Sequence, residues 1–336
     1  MTSPHPERSR LLAPLNLIVA LSERLLGSAR DAGSEHLAVD LKRIHDSGVR
    51  LRTLVGHLLE PEPAAAERPN PQTLRHELNT PLNHIIGYTD LLLEEGADTA
   101  SPEFVAEVER IRAAARQSLV LITRVLGPGM PQAPSVPEPA GAAPMPVGES
   151  GSVLIVEDDP INREIMERHL TRQGYQVLLA KGGRQALEML AAARVDVVLL
   201  DLVMPEMDGY ETLGRLKTDP ELGEIPVIVL SALEDLASVV RCIEIGAEDY
   251  IQKPFNPVLL NARLSGCIGR KRLRDREVRA LQNRVFQRMA QLQTRQQDVD
   301  ALVAERTRVL DERVQALERM LEEIEAILAR RRQSGR

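Results

Sequence analysis

The chain has 336 residues, 43% hydrophobic and 27% charged, which suits a soluble protein with at least one real core and leaves room for two domains or one domain with extensions. A formal net charge of −7 gives no global attraction to nucleic acid, and no apolar run approaches the ~20 residues that a membrane span needs. Cys242 and Cys267 read as ordinary thiols rather than a disulfide framework. Met1 to Arg10 lacks the apolar stretch of a signal peptide, so the expected location is cytoplasmic.

Aromatic residues make up only 2% of the chain, while alanine, leucine, arginine and glutamate abound, so much of it is expected to be helical. Residues 10–60 and 72–127 form a repeat with an offset of 67: Pro14-Leu15-Asn16 matches Pro81-Leu82-Asn83, and Arg43-Ile44 matches Arg110-Ile111. Each copy reads as two amphipathic helices. In the second, Leu74, Leu78, Leu82, Ile85, Thr89 and Leu92 follow 3–4 spacing, as do Phe104, Val108, Ile111, Ala115, Ser118, Ile122 and Val125. Ser101-Pro102-Glu103 supplies an N-cap, a proline at the first helical position and an acid in the first turn. A hairpin of about 50 residues cannot bury its stripe alone. The copies therefore pair within one chain, or each meets its mate across a dimer; both give a four-helix bundle. Proline-rich stretches at Pro61–Pro71 and at Gly127–Gly151 (the linker proper spanning 128–150) have no hydrophobic periodicity and read as linkers.

Residues 151–272 alternate short apolar runs with helical stretches. Strands are expected at Val153–Val156, Gln176–Ala180, Val195–Leu200, Pro226–Leu230 and Asp249–Ile251. The third and fourth runs are almost wholly branched or Leu, as in strands buried on both faces. The pattern predicts an α/β, doubly wound, five-stranded parallel sheet, whose active site lies outside the carboxyl ends of its strands. Residues 273–336 read as a long helix. Leu310, Val314, Leu317, Leu321, Ile324 and Leu328 form a seam; an earlier register through Val278, Val285, Leu292 and Val299 is out of phase and weakened by Arg288 and Arg295. A dimeric coiled coil is the expectation.

The predicted strand ends bring Glu157, Asp158, Asp201, Ser231 and Lys253 to one crevice. Clustered carboxylates call for a divalent cation, and hard oxygen ligands suit Mg2+. A carboxylate beside such an ion can take a phosphoryl group as an acyl phosphate. The segments VLIVEDDPINRE, DVVLLDLVMPEMDGYE, VIVLSA and GAEDYIQKPF resemble response-regulator receiver domains over the whole of 151–272. The resemblance implies that Asp201 is the phosphoacceptor and that Asp158 binds Mg2+ directly. It also implies that Glu157 acts through water and that the Val203 carbonyl completes the ligands. Ser231 and Lys253 then bind phosphoryl oxygens, Tyr250 is the aromatic switch, and the Lys253–Pro254 bond is cis.

The second hairpin carries Leu74-Arg75-His76-Glu77-Leu78-Asn79-Thr80-Pro81-Leu82, which resembles the phosphoacceptor box of histidine-kinase dimerisation domains. That resemblance makes His76 a phosphohistidine site, with Glu77 polarising the ring, Thr80 where a water would be oriented toward an acyl phosphate, and Pro81 kinking the helix. The first copy has Ser9 in the place of His76, so it is a degenerate hairpin. No segment reads as an ATP-binding domain. His76 is then a relay residue, a phosphatase site or a relic. Arg270-Lys271-Arg272-Leu273-Arg274 reads as a solvated helix surface and not a nucleic-acid contact. The expected partners are a cognate histidine kinase or phosphotransfer protein, a downstream protein target and a second copy of the chain. A coiled-coil scaffold with a docking receiver is the remaining alternative.

Overall fold

The computed structural model describes residues 6–58, 71–96, 100–125, 151–231 and 236–333. Four helices come first: α1 (Pro6–Asp31), α2 (Glu35–Leu58), α3 (Pro71–Gly96) and α4 (Pro102–Val125). α1 and α3 each pack on both α2 and α4, so the two hairpins close on one another inside a single chain. The repeat explains this closure. Leu78, Leu82, Ile85, Thr89 and Leu92 of α3 are buried, and so are their counterparts Leu11, Leu15, Ile18, Ser22 and Leu25 of α1. Val108, Ile111, Ala115, Ser118 and Ile122 of α4 correspond in the same way to the buried Leu41, Ile44, Gly48, Leu51 and Val55 of α2. The stripe ends before Val125, which is exposed. α1 and α3 run unbroken through Pro14 and Pro81. Pro81 itself is buried between the core residues Leu78 and Leu82, and that packing holds the helix across the missing N–H.

Against the sequence expectation, Arg8–Asp31 is long and apolar enough to cross a membrane by length and hydropathy. Half of that stretch is buried in the bundle, where Leu15 and Ile18 are wholly enclosed, so the apolar residues serve the bundle core. The expected linkers fall outside the described residues except for Pro71 and Gly151.

The α/β part follows as β1 (Ser152–Val156), α5 (Pro160–Arg172), β2 (Gln176–Ala180), α6 (Gly183–Ala192), β3 (Val197–Asp201), α7 (Gly209–Thr218), β4 (Val227–Ser231), α8 (Leu236–Ile245), β5 (Asp249–Gln252) and α9 (Pro257–Gln333). All strand pairs are parallel, in the order β2-β1-β3-β4-β5. β3 and β4 are buried throughout, and one apolar core lies on each face of the sheet. Both strands run one residue beyond their apolar stretches, to Asp201 and Ser231. Pairing across the sheet decides this, because Asp201 stands level with Leu230 and Ser231 with Gln252. Cys242 and Cys267 are free and buried.

α5 belongs to two cores. Met166 and Leu170 pack under the sheet, whereas Ile165 joins the core of the helical bundle, against α3. The first turns of α9 complete the α/β core through Leu260, Leu264, Cys267 and Ile268. From Arg272 the same helix forms a separate compact unit. There Leu310, Val314, Leu317, Leu321 and Ile324 are exposed, while the Leu328 side chain lies outside the described set.

Candidate functional site

Strand register assembles the site. Val156 stands level with Leu200, so Glu157 follows β1 where Asp201 ends β3. Ser231 ends β4, and its carbonyl accepts from the Lys253 N–H at 2.8 Å, which ties the end of β5 to β4. The Lys253–Pro254 peptide bond is cis. The Lys253 ammonium reaches Glu157 Oε2 at 2.5 Å and Asp201 Oδ2 at 2.9 Å. Gly209 lets the chain turn back over the strand end: a Cβ there would lie 2.3 Å from the Asp201 carbonyl oxygen.

Carboxylate oxygens of Glu157, Asp158 and Asp201 lie within 4.8 Å of one another. Burial pushes the Glu157 carboxyl above its ordinary range, against the opposing pull of Lys253, and burial together with Glu157 raises Asp158. Burial disfavours the Lys253 charge, but Asp201 and Glu157 outweigh it and hold the ammonium's pKa above its usual value. A cluster of hard oxygens whose charges are costly to bury is a fitting donor set for Mg2+.

α5 supports this cluster from its N-terminus. Asp159 caps the helix, accepting from the Ile161 and Asn162 N–H groups at 2.9 and 2.8 Å. The Asn162 amide donates to Glu157 Oε1 at 2.9 Å, and the Arg163 guanidinium donates to the Glu157 and Asp158 carbonyls at 2.6 and 2.7 Å. Burial alone would raise Asp159, but His84 and the capped N–H groups pull it down to about 2.

His84 belongs to the bundle, and its Nε2 lies 3.0 Å from Asp159 Oδ1. It is one of several polar ties along α5. Arg168 makes two 2.9 Å bonds to Asp40 of α2 and one of 2.8 Å to Glu95 of α3. Burial works against its charge, yet the two carboxylates raise its pKa. Arg43 of α2 pairs with Glu164 and donates to the Tyr88 hydroxyl at 2.6 Å. His169 Nδ1 lies 3.0 Å from Glu94 Oε2. At the centre, Gly87 admits Ile165, whose methyl would stand 2.8 Å from an added Cβ.

This docking creates a shared cavity of about 310 Å³. The sheet side contributes Glu157, Asp158, Asp201, Val203 and Lys253; the bundle side contributes His76, Glu77, Thr80 and Arg50. His76 is exposed to this space. The Thr80 hydroxyl donates to the His76 carbonyl at 3.0 Å. Ser231 and Tyr250 are not among the lining residues: Ser231 is buried at the end of β4, and Tyr250 packs part-buried against the core. Sequence reasoning singled out neither Arg50, His84, Asn162 nor Arg163. The Asp159-Pro160 pair, an N-cap followed by proline, was the one local sign that a helix begins over the acidic cluster.

Residues 153–265 match the response regulator receiver domain family, and residues 72–132 match the His Kinase A (phospho-acceptor) domain family. Response regulator MprA of Mycobacterium ulcerans is 38% identical over 125 residues, 37% of this chain and 53% of that protein. Response regulator PleD of Caulobacter vibrioides is 38% identical over 115 residues, 34% of this chain and 25% of that protein. The chain thus spans about half the length of MprA and a quarter of PleD. Among solved structures, the signal receiver domain of a signal transduction histidine kinase from Syntrophus aciditrophicus is 41% identical, covering 36% of this chain and 91% of that one with a TM-score of 0.34.

Proposed function

We propose that this chain, whose residues 153–265 match the response regulator receiver domain family behind a His Kinase A match at 72–132, is a two-component response regulator that is phosphorylated on Asp201 and signals through protein contacts. The supporting observation is the convergence of Glu157, Asp158, Asp201 and Lys253 at the strand ends. Glu157, Asp158, Asp201 and the Val203 carbonyl would hold Mg2+. When bound, the ion neutralises the incoming phosphoryl oxygens and fixes their direction. Asp201 supplies the attacking carboxylate oxygen. Lys253 pairs with the transferred group, Ser231 donates to one of its oxygens, and Tyr250 moves inward as Ser231 shifts. The surface after β4 changes shape, and a partner reads it. The test is a small acyl phosphodonor with Mg2+ on the full chain: wild type gains an acid-stable, base-labile phosphate, and Asp201→Ala gains none. Equal labelling of Asp201→Ala overturns the reading.

The shared cavity favours a second step in the same chain, phosphotransfer between His76 and Asp201. The phosphoryl group then enters from a separate phosphodonor, rests on His76 and passes to the receiver that α5 docks beside it. Neither His76 nor Asp201 needs to find its partner by diffusion. Thr80, beside His76, gives the phosphatase alternative, since its hydroxyl can turn from the His76 carbonyl to a water. Replacement of His76 by Gln separates these readings from simple reception, because a phosphodonor acting through His76 then labels Asp201 more slowly. The exposed seam from Leu310 to Ile324 supports a coiled-coil dimer. Sedimentation of the full chain as a monomer would overturn that assignment.

A further inference from the structure

The first hairpin has lost its histidine position to Ser9, yet it borders the cavity. Along α2, Asp40, Arg43 and Arg50 lie on one side of the helix, at spacings of one and two turns. Asp40 and Arg43 hold α5 through Arg168 and Glu164. Arg50, further along the same stripe, lines the same cavity as His76 and Asp201. Its counterpart in the second hairpin, at the offset of 67, is the neutral Gln117. The cation therefore occurs in the copy that lacks the histidine, and Gln117 is not among the residues that line the cavity.

The charges in the cavity give this residue a task. Glu77, Glu157, Asp158, Asp159 and Asp201 line the space, and Lys253 is already bound to two of them. A phosphoryl group adds negative oxygens to that wall. Arg50 is exposed and has no side-chain hydrogen bond or ion pair among the described residues. A guanidinium presents a planar fork that matches two phosphoryl oxygens at once.

We propose that Arg50, supplied by the hairpin that lacks the histidine, binds the phosphoryl group as it passes between His76 and Asp201. The inference rests on the phosphotransfer reading. In the step, a carboxylate oxygen of Asp201 forms the new P–O bond while the P–N bond to His76 breaks. The bond pair returns to the ring nitrogen, and the imidazole is left neutral with its proton on the other nitrogen. No oxidant or further reactant enters. Arg50 neutralises the equatorial oxygens during the passage.

The test uses the full chain with phosphoramidate, a small P–N phosphodonor, and Mg2+. Phosphohistidine and acyl phosphate are separated by their acid and base stability. Asp201 labelling is compared in wild type, His76→Gln, Arg50→Gln and Arg50→Lys, and phosphohistidine loading is compared in Asp201→Ala with and without Arg50→Gln. The expected result is that the His76-dependent rate of Asp201 labelling falls about tenfold in Arg50→Gln, a modest effect for a donor in an open site, and less in Arg50→Lys. Phosphohistidine loading stays unchanged. Normal Asp201 labelling in Arg50→Gln, with slow labelling in His76→Gln, overturns the role of Arg50 and leaves the relay standing. Loading that falls in proportion also overturns it, since Arg50 then acts before the transfer. Full-rate labelling in His76→Gln removes the relay itself, and the inference with it.

Discussion

The two hairpins of the bundle agree inside and differ outside. Their buried stripes correspond position for position, from Leu11 and Leu78 at the start to Val55 and Ile122 near the end. Their outer faces have parted. α3 offers His84, Gly87, Glu94 and Glu95 to α5; at the matching places α1 has Leu17, Ala20, Gly27 and Ser28, and Ala20, Gly27 and Ser28 are exposed. α2 offers Asp40 to Arg168, while its counterpart Glu107 on α4 pairs instead with Arg24 of α1. A repeat has to keep its core because both copies share it. Its faces are free to diverge, and here one face has become a receiver dock while the other has not.

This contrast can be tested by paired substitutions. Leu15→Ala and Leu82→Ala each open a cavity in the shared core, and each is expected to cost about 4 kcal/mol in urea unfolding of the bundle. A large inequality between them would mean that the two copies do not share one core. Arg168→Ala leaves Asp40 buried without its bidentate partner, at a cost of about 3 kcal/mol. That loss is read as faster hydrogen exchange in α5, with the sheet protected as before; unchanged exchange in α5 counts against the dock. Gly87→Leu drives a side chain into Ile165 and is expected to weaken docking by about 2 kcal/mol. Ala20→Leu, at the matching exposed place, is expected to change stability by no more than about 0.5 kcal/mol. Equal effects from this last pair would show that both faces are covered.

The strand ends were readable because apolar runs, turn residues and acids are local signals, and Glu157, Asp158, Asp201 and Lys253 each sit next to one. β3 and β4 end at Asp201 and Ser231, one residue past their apolar runs, because pairing with a neighbouring strand carries a ladder past the last apolar side chain. His76 was readable from its box, but its position opposite Asp201 was not. The two lie 125 residues apart, by subtraction of their numbers, with a proline-rich stretch between them. Arg50 and His84 lie in no motif, and Asn162 lies within the VLIVEDDPINRE segment without a role of its own there; each matters through what it faces.

Helical and strand periodicity, the repeat and the acidic and histidine boxes are short-range patterns, and the amino-acid order alone specifies the helical hairpins, the parallel sheet and the chemistry of each box. The choice of an intrachain bundle, the face on which the receiver docks and the cavity joining His76 to Asp201 depend on packing between distant segments. Ile165 fits over Gly87, and Arg168 spans Asp40 and Glu95, only when three helices from separate parts of the chain meet. Such complementarity has no period along the sequence, so tertiary structure had to reveal it.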